Sequence, residues 1–148
     1  MKKIITTTAV LTAILSANTV EKLDVNKTKT EIMQFAQMFI SKTFANPKSV
    51  TQTFDADSGI VNLNSMYNCT KKIMFMPIVN LPINAKTEIK AKDGKTMIEV
   101  SSFMTGEYGG RPISEYKFMD DNVKNCVESN ERDIINKYFE MLKTGSDW

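Results

Sequence analysis

The stretch TEIKAKDGKTMIEVSSF, residues 87–103, decides the fold class. Thr87, Ile89 and Ala91 fall on one side of an extended chain, and Ile98 and Val100 repeat that two-residue step beyond Asp93-Gly94. Met97 and Phe103 fall on the opposite face. An Asp-Gly pair between alternating runs predicts a tight hairpin, because both loop positions must tolerate positive φ. The chain therefore contains antiparallel sheet with one side turned to a core.

A second pair of extended runs lies upstream, SVTQTF at 49–54 and IVNLNSM at 60–66, with Val61 and Leu63 sharing a face. Between them, Asp55-x-Asp57-x-Gly59 has the spacing of the first half of a calcium loop. Such a loop needs an oxygen ligand at its fifth position, glycine at its sixth and glutamate at its twelfth. Here those positions hold Gly59, Ile60 and Met66. The segment reads as a hairpin tip, and no metal is expected.

Two helices frame the strands. Thr28-Lys29-Thr30-Glu31 fits a capping box, and behind it Ile32, Phe35, Ala36, Phe39, Ile40 and Phe44 recur at three- and four-residue steps. Asn46-Pro47 stops that helix. Met33 and Met38 flank the stripe as core filling. Near the C-terminus Ile134, Ile135, Tyr138, Phe139 and Leu142 make a second apolar face ending at Gly145. Val123, Cys126 and Val127 either extend it upstream or form a separate turn, and Asp120-Asp121 reads as an acidic helix start or a solvated turn. A glycine-rich loop at 105–112 and a short strand at 113–118 would precede it.

The segment from Ile73 to Ile83 is strongly apolar but broken by Pro77 and Pro82. Proline cannot donate to a strand ladder, so an edge strand or an extended connector over the core is predicted. Ile73, Phe75, Met76, Ile78, Val79 and Leu81 form the candidate partner surface, since an apolar ridge on an edge can receive a partner strand or groove. Plain packing of a connector is the other reading.

Lys2-Lys3, the apolar run Ile4–Ala17 and polar sequence from Asn18 match a secretory signal peptide over residues 1–17. The run is too short to span a bilayer, and no membrane span is expected after its removal. Residues 18–27 read as a polar lead-in, and 28–148 as a single α+β domain. Residues 18–148 carry 17 basic and 17 acidic side chains. A nucleic-acid binder would show a basic excess, so nucleic acid is not the expected partner.

An even cysteine pair in an oxidising compartment reads as one disulfide, Cys69–Cys126, although spacing alone does not separate it from two buried thiols. The bond would close a loop of about 58 residues, worth roughly 4 kcal/mol. The chain has no histidine, which removes imidazole triads and His-ligated zinc. No dinucleotide or phosphate-loop motif occurs, so no cofactor is expected. Asn26-Lys27-Thr28 and Asn68-Cys69-Thr70 match N-glycosylation acceptors.

A helix ending near Phe44, a Val50-centred strand, Asp55 and Gly59 around one bend, and Lys92-Asp93-Gly94-Lys95 at the next resemble a family of secreted bacterial proteins. That family is a domain of unknown function with a TATA-binding-protein-like (TBP-like) fold, and the resemblance covers residues 28–143 or so. It implies a curved antiparallel sheet with two helices on one face, and it carries over no catalytic residue. The expectation is therefore α+β, with about five strands and two amphipathic helices on one face. The expected role is a non-enzymatic module that binds another envelope or secreted protein. The alternatives are a carrier of a small apolar ligand between sheet and helices, and a hydrolase with an unrecognised carboxylate pair.

Overall fold

The computed structural model describes residues 18–71, 79–104 and 121–144. In chain order the elements are β1 (Asn18–Asp24), α1 (Lys29–Thr43), α2 (Pro47–Val50), β2 (Thr51–Asp55), β3 (Ile60–Lys71), β4 (Val79–Lys92), β5 (Lys95–Met104) and α3 (Asp121–Thr144). The five strands make one antiparallel sheet in the order β1-β5-β4-β3-β2. Helix α3 lies over β1, β3 and β5, while α1 packs beside it and over β4. The fold is α+β, as expected, with its two long helices on one side of the sheet.

Alternation in the strands selects the covered face. Val61, Leu63, Ala85, Thr87, Ile89, Ala91, Ile98 and Val100 all point to the helices and are buried. Against them α1 lays Ile32, Met33, Ala36, Phe39 and Ile40, one stripe of a 3.6-residue period. Its N-terminus carries the predicted capping box, with Thr28 and Glu31 each bonded to the other's backbone N–H. Helix α3 buries Val123, Val127, Glu131, Ile134, Ile135, Tyr138 and Leu142, and thus runs unbroken from Asp121. Asp120, the loop at 105–112 and the strand expected at 113–118 lie outside the described residues.

Both bends are hairpin tips. Gly59 (φ 73°) donates its N–H to the Asp55 carbonyl at 2.9 Å, and the Asp55 carboxylate accepts from the Ser58 N–H and hydroxyl. At the second tip Lys92 pairs with Lys95 around Asp93-Gly94, with Gly94 at φ 85°. That tip also anchors the linker between β1 and α1. Gly94 N–H donates to the Lys27 carbonyl, Val25 N–H donates to the Gly94 carbonyl, and Asp93 Oδ1 accepts the free Lys29 N–H of the first helical turn.

Three expectations are corrected. Residues 18–24, read as a polar lead-in, are strand β1, paired residue for residue with β5 from Asn18↔Ser101 to Asp24↔Lys95. The alternation was hidden because its inward positions are Thr19, Glu21 and Leu23, of which only the last is apolar. Ser49 and Val50 belong to α2, which Asn46 caps and Pro47 starts, so β2 begins at Thr51 and Val50 does not centre it. The proline-broken segment is neither wholly edge nor connector, since Val79–Ile83 opens the inner strand β4. Pro82 stands in that strand opposite Asn68 of β3, one residue before Ile83↔Met104, the first described pair with β5.

Cys69 and Cys126 are bonded, with Cα atoms 5.9 Å apart. The disulfide joins the far end of β3 to the first turns of α3. Beside it Leu81, Ile83, Val123 and Val127 form a second small core.

Candidate functional site

Two places concentrate polar side chains, one buried under α3 and one on the bare side of the sheet. The buried one is built on Glu131, which falls in the middle of the apolar stripe of α3 and is 1% exposed. Thr19 of β1 donates its hydroxyl to Oε1 at 2.7 Å, and Ser102 of β5 donates to Oε2. Because the Ser102 hydrogen is so used, the Tyr67 hydroxyl 3.0 Å away must donate to Ser102. The next residue, Arg132, reaches Glu21 of β1 at 2.6 Å. Burial pushes the Glu131 carboxyl above the usual range, opposed by the Ser102 and Thr19 hydroxyls. Burial likewise raises the Tyr67 phenol, and that of Tyr138, which donates to Thr96.

This seam ties edge strand β1 to the helix layer. It was not anticipated from the sequence, although the step from Val127 to Ile135 lands on Glu131 once α3 is known to be continuous. Glu21 and Glu131 are the buried carboxylates of this seam. Both are almost fully buried, Glu131 is bonded through both oxygens, and Glu21 is paired through Oε2 while its buried Oε1 has no hydrogen-bond partner. Neither lines the 690 Å³ cavity of the sheet or the described smaller ones beside the helices.

The second place is the sheet face turned away from the helices. No described element packs on it, and its side chains are half-buried or exposed. Cross-strand pairing arranges it in rows. Met66 opposite Asn84, with Phe103 beyond, occupies one end, and Met66 is 63% exposed. Lys86 stands over the Phe103 ring at 4.9 Å. The middle row places Glu88 directly opposite Glu99. At the hairpin-turn end come Lys22, Met97, Lys90 and Ile60, then Asp24, Lys95 and Lys92. An open cavity of about 690 Å³ lies at that end.

Of the expected partner surface, Val79 and Leu81 fall within the described residues. Ile73, Phe75, Met76 and Ile78 lie outside the described residues, and Val79 is the first residue of β4. Leu81 is 7% exposed and packs in the core beside the disulfide, so it is removed from that surface. Its inward position follows from the two-residue step that also buries Ile83 and Ala85. Asn26 is exposed between β1 and α1, while Asn68 is exposed within β3. Among the described residues no group of three or more acidic or cysteine side chains could hold a metal, and no helix is long and apolar enough to cross a membrane.

No protein-family model and no curated protein matches the sequence. Solved structures do match in three dimensions. A TBP-like protein from Parabacteroides distasonis superposes with a TM-score of 0.64 at 10% identity, covering 90% of this chain and 96% of that one. A DUF4468 family protein from Bacteroides ovatus superposes with a TM-score of 0.60 at 8% identity, covering 87% and 90%. The chain thus has a TBP-like α+β fold, shared with a bacterial domain of unknown function, and the resemblance drawn from its bends and helix faces holds at the level of fold. These likenesses give no indication of an enzymatic activity, and a shared fold assigns no function.

Proposed function

We propose that this chain is an exported, non-enzymatic binding module that presents the helix-free face of its sheet to another envelope or secreted protein. The observation that carries the reading is the sidedness of the sheet. One face is sealed by α1 and α3, while the other is bare of described elements and bears exposed Met66 and exposed lysines. An open antiparallel face with both charged and apolar side chains is suited to recognition. Export is supported by the basic and apolar start of the chain and by the Cys69–Cys126 bond, which belongs in an oxidising compartment. The carrier alternative finds less support, because Phe39, Tyr138, Ile89 and Ile98 fill the layer between sheet and helices.

Photo-crosslinking in the native host tests this, with the probe at Met66 and a control probe at Lys137 on the exposed side of α3. A discrete adduct with one protein from Met66 alone is the expected result. Adducts from Lys137 alone, or from neither position, would overturn the assignment of the face.

A further inference from the structure

We propose that the turn end of the helix-free face docks an extended, acidic peptide segment of the partner. This rests on the binding-module reading and narrows it to one end of one face. Lys22 of β1 and Lys90 of β4 flank Met97 of β5 in one cross-strand row, and Lys92 and Lys95 oppose each other in the next. All four lysines are exposed, against two carboxylates in these rows, Asp24 beside Lys95 and Asp55 beyond Ile60, the latter already accepting from the Ser58 N–H and hydroxyl. Among the described residues the ion pairs are Arg132–Glu21 and Lys137–Asp133, so none of the four lysines has a carboxylate partner. Four like charges gathered this closely repel one another, and an anionic occupant relieves the repulsion. The same lysines line the 690 Å³ cavity, whose floor includes the apolar side chains of Met97 and Ile60.

The chemistry of the occupant follows from what the site offers. Gly59 and Gly94 at the two tips have already committed their N–H groups, to the Asp55 and Lys27 carbonyls. Those two N–H groups are therefore not free to cradle a compact phosphate. The charges are instead spread over two rows, two residues apart along the strands, a separation of about 6.8 Å. Side chains on one face of an extended peptide repeat at that same distance, so carboxylates at alternate positions reach both rows. A nucleic-acid strand fits less well. The next row carries Glu99 opposite Glu88, so the basic surface stops before a run of phosphates could be neutralised.

The test is fluorescence anisotropy with a labelled octapeptide carrying glutamate at alternate positions, with inorganic phosphate and duplex DNA as competing probes. The row variants are Lys22→Glu/Lys90→Glu and Lys92→Glu/Lys95→Glu, and Lys48→Glu/Lys143→Glu is the control with the same charge change. Thermal melting checks that each is folded, and the matching Lys→Gln pairs serve where a Glu pair is not. The peptide should bind the native protein and the control, weaken by about tenfold in each row variant, and weaken as salt rises. The inference is overturned if the peptide does not bind, if row and control variants bind alike, or if phosphate or DNA binds in its place. The Met66 crosslink separates the two levels. An adduct that persists undiminished in the row variants removes the docking site and leaves the binding face, whereas no adduct in the native protein removes the face itself.

Discussion

Gly59 and Gly94 both hold a positive φ at a hairpin tip, but their surroundings differ. A Cβ on Gly59 would lie 2.2 Å from the Ala91 carbonyl oxygen, whereas one on Gly94 would meet its nearest neighbour at 4.0 Å. Gly94→Ala should therefore cost only the left-handed backbone term, about 1–2 kcal/mol. Gly59→Ala must also displace β4 and should cost about 2–4 kcal/mol. Urea denaturation of the two variants compares them, and equal losses would contradict the close approach at Ala91. The sequence showed both bends, because Asp-Gly and Asp-x-Asp-x-Gly between alternating runs leave few other conformations. It did not show that one glycine is pressed against a neighbouring strand, since Gly59 and Ala91 meet only through the sheet. Glu131 was hidden for a related reason. A carboxylate is placed inside only by its partners, and Thr19, Tyr67 and Ser102 come from three separate strands. Its raised pKa gives a definite pH dependence. The folded protein holds the Glu131 proton more firmly than the unfolded chain, so the contribution is fully present below the ordinary value near 4.5 and is lost as pH rises through the folded value. The stability of the native protein relative to Glu131→Gln should fall as pH is raised from 4.5. A relative stability that grows with pH would be incompatible with that environment.

Among the elements, the helices and hairpins were legible and the joins were not. Helix α1 announced itself through a capping box and one apolar stripe, and α3 through its C-terminal half. Strand β1 was missed because an alternating strand is recognised by its apolar inward residues, and two of those three positions are Thr19 and Glu21. A charge pointing inward on an edge strand is also a barrier to edge-to-edge pairing. Strand β2 was drawn too long because Asn46-Pro47, read as a stop for α1, also starts the short helix α2. The disulfide was narrowed to a pair by counting and is placed by the fold, from the end of β3 to the first turns of α3. It closes most of the distance between those elements along the chain, so reducing it, or replacing both cysteines with alanine, should cost roughly 2–5 kcal/mol. Denaturation midpoints with and without reductant measure this directly. Unchanged midpoints would mean that the small core of Leu81, Ile83, Val123 and Val127 holds the two elements together unaided.

For the molecule as a whole, the alternation of Thr87, Ile89 and Ala91 with Lys86, Glu88 and Lys90 already says that one face is buried and the other is not. The clustering of charge on the open face is a property of register. Lys22 and Lys90 are distant in sequence and become neighbours across Met97 only when β1 and β4 flank β5. The apolar segment chosen from sequence as a partner surface shows the converse, since Leu81 belongs to a strand whose inward step takes it into the core. Sidedness is the central claim, and methionine oxidation reads it most directly. Met66 and Met97 lie on the open face, while Met38 and Met141 lie half-buried on α1 and α3. The measurement is the oxidation of these four residues in the host's envelope or secreted fraction, compared with the purified protein. The account predicts protection of Met66 and Met97 in the native setting, with Met38 and Met141 unchanged. Protection confined to Met38 and Met141, or none at all, would contradict it.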